Sequence, residues 1–109
     1  MSFEGEYLNG KKWNGKGYIN DKKIYDIKDG KGYIKLYDCF ERLSYEGQYS
    51  KGQKNGKGKE YLDYKLEYEG EYIDRKKNGK GKEYFSNGNL CFEGTYLNGE
   101  RNGKGKLYD

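Results

Sequence analysis

One segment of this chain has residue types and an order that suggest bond-making chemistry. Gly10-Lys11-Lys12-Trp13-Asn14-Gly15-Lys16-Gly17 follows the glycine-rich phosphate-binding loop up to its final position. There such a loop needs a Ser or Thr hydroxyl to hold magnesium, and Gly17 offers no side chain. The segment also joins two extended runs, whereas a phosphate loop joins a strand to a helix whose N-terminus meets the anion. Nucleotide chemistry is set aside on both grounds. His is missing from the chain, and with it the commonest general base. Cys39 and Cys91 sit far apart in non-equivalent settings, without the clustered Cys and His that hold zinc. No Asp-rich loop is present to take calcium. The expectation is a non-enzyme with no catalytic residue, no metal and no cofactor.

What must position any functional side chain is a repeat. Phe3-Glu4-Gly5-Glu6-Tyr7, Tyr45-Glu46-Gly47-Gln48-Tyr49, Tyr68-Glu69-Gly70-Glu71-Tyr72 and Phe92-Glu93-Gly94-Thr95-Tyr96 are nearly one phrase. Each is followed by Asn-Gly-Lys-Gly, starting at Asn14, Asn55, Asn78 and Asn102. A unit repeated every 23 to 24 residues builds a stack in one dimension, so function is to be sought on a face. Composition agrees: 17 residues are Leu, Ile or Phe and none is Val, too few for an ordinary two-layer core. The net charge of +4 and 14 regularly spaced tyrosines argue for order all the same.

Inside a unit the period is two. Tyr68, Gly70 and Tyr72 share one side of an extended segment, and Glu69 and Glu71 the other. A connector from Ile73 to Asn78 follows, in which Asn78-Gly79 reads as the tight hairpin turn, with a second strand from Gly79 to Phe85. Ser86-Asn87-Gly88-Asn89 then turns the chain back. The predicted fold is all-β: an elongated, single-layer antiparallel meander of β-hairpins forming one array over 1–109. Its repeats run over about 3–24, 25–44 (truncated), 45–67, 68–91 and 92–109. Acidic residues of first strands (Glu4, Glu6, Glu46, Glu69, Glu71, Glu93) are expected to face lysines of second strands (Lys16, Lys57, Lys59, Lys80, Lys82, Lys104, Lys106). The rings are expected on the opposite face, lying over glycine backbone.

Tyr45, Gly47, Tyr49, Gly52, Gly56 and Gly58 fall together on the pattern of the MORN repeat, membrane occupation and recognition nexus. So do Tyr68, Gly70, Tyr72, Gly79 and Gly81, and the set from Phe92 to Gly105. The chain resembles that family over nearly its whole length. Half a hairpin is missing between Tyr25 and Gly30-Lys31-Gly32, where Asp26-Ile27 stands for Glu-Gly and a bulge or bend is expected. Trp13 is displaced into a connector, and Arg75-Lys76 takes the place of the connector glycine. The resemblance implies an elongated, slightly twisted sheet with an aromatic groove. It also implies non-catalytic roles as scaffolds of cytoskeleton and cell cortex, as membrane tethers, and as segments attached to enzymes.

Two surfaces are candidates for binding. Phe3, Tyr7, Tyr45, Tyr49, Tyr68, Tyr72, Phe92 and Tyr96 would line a partly wet aromatic stripe that docks another protein or peptide. Alternatively, Lys11, Lys12, Lys51, Lys54, Arg75, Lys76, Lys77 and Arg101, in the connectors, would meet an anionic phospholipid or phosphoinositide surface. Nucleic acid ranks below both, because lysines and rings are expected on opposite faces and no nucleic-acid module matches. Weak self-association is expected through sheet edges at Phe3–Leu8 and Gly105–Tyr108, the latter with Asp109 just beyond. No signal sequence, membrane span or Asn-x-Ser/Thr acceptor is read. The expected location is therefore cytoplasmic with two free thiols, and the family adds a membrane or cytoskeletal periphery.

Overall fold

Glycine placement explains how so aliphatic-poor a chain folds. The computed structural model describes residues 2–108; Met1 and Asp109, and the expectation placed on Asp109, lie outside it. Ten strands follow one another: β1 (Ser2–Leu8), β2 (Lys11–Ile19), β3 (Lys22–Ile27), β4 (Gly32–Tyr37), β5 (Leu43–Ser50), β6 (Gln53–Leu62), β7 (Lys65–Ile73), β8 (Lys76–Tyr84), β9 (Leu90–Leu97) and β10 (Glu100–Leu107). All neighbours pair antiparallel, as an up-and-down meander of β1–β2–β3 and a second sheet of β4 to β10 in chain order. The molecule measures 44 × 26 × 16 Å. Nine inter-strand spacings of about 4.8 Å give about 43 Å, so the long axis is the stacking direction.

Register sets a row of glycines across the second sheet. Gly47 faces Gly58, Gly58 faces Gly70, Gly70 faces Gly81, Gly81 faces Gly94 and Gly94 faces Gly105. On the other face the charges alternate as expected, with Lys35, Glu46, Lys59, Glu69, Lys82, Glu93 and Lys106 each opposite the next.

Hairpin turns fall elsewhere than the sequence suggests. Asp74 (φ 50°) and Arg75 (φ 72°) make the turn between β7 and β8, and Asn78-Gly79 lies inside β8. Gly79 (φ 90°) is instead a bulge, marked by the register break between Gly70 and Tyr72. Glycine in the left-handed region serves a bulge as well as a turn. Side chains of the opposite strand close these bulges: Gln48 Oε1 accepts from the Lys57 backbone N–H at 2.7 Å, and the Thr95 hydroxyl donates to the Asn102 carbonyl. Asparagine side chains tie neighbouring turns together, as Asn14 Oδ1 accepts from Asp29 N and Asn78 Oδ1 from Asn98 N. Along that long edge Gly52 N donates to the Gly30 carbonyl, Arg75 N to Lys54 and Gly99 N to Lys77, at 2.9–3.0 Å.

At the short repeat the sheet breaks. Tyr25 pairs with Gly17 and Ile27 with Gly15, so Tyr25 stands at a glycine position and Ile27 at that of the second aromatic, two residues from the expected alignment. On β4, Ile34 faces Gly47 and also replaces a glycine of the row. Continuing the single Lys28–Lys31 bridge would set Tyr25 opposite Ile34, both buried. Two large side chains where every other repeat has paired glycines wedge β3 from β4. Cys39 is exposed, Cys91 half-buried, and both are unpaired.

Candidate functional site

The first aromatic of each repeat lies flat on the glycine row. A methyl at Gly81 would stand 2.5 Å from Tyr68 Oη and 2.6 Å from its Cε1, so the ring occupies the space left by the missing side chain. Tyr45 covers Gly47 and Gly58 in the same way, and Phe92 covers Gly94 and Gly105. Tyr45 and Tyr68 donate their hydroxyls to the carbonyls of Gln48 and Glu71. The second aromatics stand edge-on between the first ones. Tyr72 meets Tyr45 at 5.5 Å and Tyr68 at 5.6 Å, and Tyr96 meets Tyr68 at 5.3 Å and Phe92 at 5.7 Å, all near perpendicular. Contacts of this geometry add about 0.5–1.5 kcal/mol each beyond burial.

Cations cover this chain of rings. Lys54 lies 4.6 Å over Tyr45, Lys77 4.5 Å over Tyr68, Arg101 4.4 Å over Phe92 and Lys12 5.3 Å over Phe3. Carboxylates complete the lid, since Glu60 accepts from the Tyr72 hydroxyl at 2.6 Å and Glu83 from Arg101 Nε at 2.7 Å.

The expected exposure of the aromatic stripe is therefore corrected. Tyr45, Tyr68, Tyr72, Phe92 and Tyr96 are 0–8% exposed and form the core, and Tyr49 and Phe3 are half-buried against it. Of the eight, Tyr7 alone is open, at 59%. Rings standing on edge between rings lying flat close a face that has no second sheet above it. The eight candidate cations divide in two. Lys12, Lys54, Lys77 and Arg101 lie over rings, contrary to the expected separation of cations from aromatics. Lys11, Lys51, Arg75 and Lys76 are exposed along one long edge, at or beside the turns.

A concave surface lies on the charged face instead. It is a groove of about 770 Å³ running from Tyr33 on β4 to Thr95 on β9, its sides built from four lysines (Lys57, Lys59, Lys80, Lys82) and four glutamates (Glu46, Glu69, Glu71, Glu93). Hydrogen bonds fix three of the four glutamates: Tyr61 donates to Glu46 at 2.9 Å, Tyr84 to Glu69 at 2.5 Å and Tyr108 to Glu93 at 3.2 Å. Burial, then the bond to Glu46, pushes the Tyr61 phenol up to about 12, and burial with the bond to Glu69 does the same for Tyr84. The neutral phenols of Tyr61 and Tyr84 therefore keep donating at ordinary pH and hold Glu46 and Glu69 in place. Sequence reasoning treated these tyrosines as more of the aromatic pattern. The signal that sets them apart is a recurring interval, with Glu and Tyr 15 residues apart in all three pairs.

None of the curated proteins matches this chain. Residues 45–62, 68–90 and 92–109 match the MORN repeat family, while the first 44 residues, which hold the short repeat and the sheet break, lie outside the match. With three repeats covering more than half of its length, the chain belongs to the MORN repeat family.

Proposed function

We propose that this chain is a non-catalytic docking module that holds a segment of a partner protein in the groove of its Glu/Lys face. MORN repeats are binding modules associated with protein and membrane partners. The observation that carries the reading is the groove itself, continuous over the six strands β4 to β9. Five spacings of about 4.8 Å make it about 24 Å long, which suits about 16 residues of α-helix at 1.5 Å per residue. Lysine stems and glycine backbone make the lining largely apolar, with charged tips raised above it. An amphipathic segment would set its apolar side against the stems and charges of both signs against the alternating tips. The buried and half-buried aromatics among the eight first expected to touch a partner would act from behind, by keeping the sheet rigid. The test is site-specific photocrosslinking in cell extract, with a photoreactive residue at Lys57, Lys80 or Arg75. The groove positions should capture one common protein that Arg75 does not; capture from Arg75 alone overturns the reading.

A second reading rests on Lys11, Lys51, Arg75 and Lys76, exposed along one edge. Such residues near an anionic phospholipid surface contribute about 1 kcal/mol each. Co-sedimentation with phosphatidylserine or phosphoinositide vesicles should be lost in Arg75→Glu with Lys76→Glu and should fade with salt, as exposed charges are screened over about 8 Å. Salt-resistant binding that survives those changes overturns it.

A further inference from the structure

We infer that this chain assembles head to tail, the β1 edge of one copy adding as the next strand beside the β10 edge of another, so that the repeat register continues between molecules. Inside the chain, an Asn-Gly-Lys-Gly strand is followed by an aromatic-Glu-Gly strand in one fixed pairing. From β6 to β7, Gly56 faces Tyr72, Lys57 faces Glu71, Gly58 faces Gly70, Lys59 faces Glu69 and Glu60 faces Tyr68. From β8 to β9 the same pattern recurs, with Gly81 opposite Gly94 and Lys82 opposite Glu93. Among the described residues β10 pairs only with β9, and β1 only with β2. In that register, β10 would meet β1 of a second copy with Gly103 facing Tyr7, Lys104 facing Glu6, Gly105 facing Gly5, Lys106 facing Glu4 and Leu107 facing Phe3.

Each of these pairs is complementary, and each side shows what the pairing would cover. Tyr7 is 59% exposed although its counterparts Tyr72 and Tyr96 are buried edge-on against the preceding repeat's flat ring. Phe92 is a flat ring with Tyr96 alone standing against it, so Tyr7 of the next copy would take the place that Tyr72 takes on Tyr45. Gly105 is exposed, whereas Gly58 and Gly81 in the same row are buried by the following strand. Leu107, 67% exposed, would lie against Phe3.

Charge selects this pairing over its rivals. Two β1 edges would bring Glu4 and Glu6 against themselves, and two β10 edges Lys104 and Lys106. The two edges lie at opposite ends of the 44 Å stack and cannot meet within one molecule. A contact between unlike edges does not close into a dimer, so it gives linear oligomers. This assembly is independent of what the groove binds.

Sedimentation velocity across a concentration series tests it. The unmodified chain should pass from monomer to a ladder of larger species. Glu4→Lys with Glu6→Lys, or Lys104→Glu with Lys106→Glu, should weaken association about tenfold or more, because two attractive pairs become repulsive. All four changes together should restore it, and an equimolar mixture of the two double variants should associate more tightly than either does alone. A circular dichroism spectrum like that of the unmodified chain qualifies each variant. A monomer at every concentration, indifference to both double changes, or no recovery in both the fourfold variant and the mixture would overturn the assembly.

Discussion

Tyr72 and Tyr96 occupy equivalent places, are equally buried, and differ at one atom. Tyr72 gives its hydroxyl to Glu60 at 2.6 Å, while the Tyr96 hydroxyl lies beside Glu83 and Arg101 without a hydrogen bond of good geometry to either. Removing a charge-assisted bond costs about 1.5–3 kcal/mol, whereas removing a buried hydroxyl with no well-formed bond costs less. Tyr72→Phe should therefore lower stability by about 2 kcal/mol, and Tyr96→Phe should lower it by less; urea unfolding of the two checks this. Alkaline pH probes the same chemistry. Burial is the main cause that pushes Tyr61, Tyr68 and Tyr84 to about 12, against about 10 in an unfolded chain. A raised folded value means the neutral phenol is favoured by folding, so this stabilisation is whole below about pH 10 and is lost as pH climbs towards 12. Thermal melts should be flat from pH 8 to 9.5 and fall steeply above 10. The alternation of ring and glycine made the aromatic face legible in the sequence. Its closure was not legible, because that depends on cations such as Lys54 and Arg101 folding back over rings nine residues away in sequence.

At the scale of an element, glycine does two jobs that a sequence does not separate. In the row it gives up volume, and Gly81→Ala would put a carbon 2.5 Å from Tyr68 Oη and displace the ring. Overpacking of this kind costs about 1–3 kcal/mol, while Gly88→Ala, with nothing within 4 Å, should cost only its left-handed backbone (φ 90°). At turns it supplies that left-handed backbone. Arg75 (φ 72°) sits where Gly52 (φ 73°) and Gly99 (φ 88°) sit in the neighbouring hairpins. Arg75→Gly should therefore raise stability by about 1 kcal/mol, read as a higher urea midpoint with unchanged slope. That each repeat is a hairpin of antiparallel strands could be read from the sequence. The place of the turn could not, because Asn78-Gly79 satisfies a turn and a bulge equally well, and the pairing of Tyr72 with Lys77 decides between them.

Across the whole molecule the stack is uneven, and its unevenness is measurable. The radius of gyration of 14.9 Å exceeds the roughly 13 Å of a compact domain of this length, as a slab 44 Å long requires. The interlocked rings run without a gap from Tyr45 to Phe92, while Tyr25 and Ile34 interrupt the glycine row between β3 and β4. That interruption was visible in the sequence as a missing half-hairpin. Its consequence, separation into two sheets, needed the register that sets bulk against bulk. In a stack where each strand leans on its neighbours, local stability follows the number of covered sides. Native-state hydrogen exchange should find the slowest amides in β7 and β8, flanked on both sides and roofed by Tyr68, Tyr72 and Lys77. Amides of β1 and β10 should exchange fastest, and β1 to β3 should open together at a lower free energy than β5 to β9. Tyr72→Phe should then accelerate β6 to β8 and leave β2 unchanged, because among the described residues the Lys28–Lys31 bridge alone carries strand pairing from one sheet to the other. If all amides slowed and quickened together in that variant, the array would be one cooperative unit and the break would carry no energetic weight.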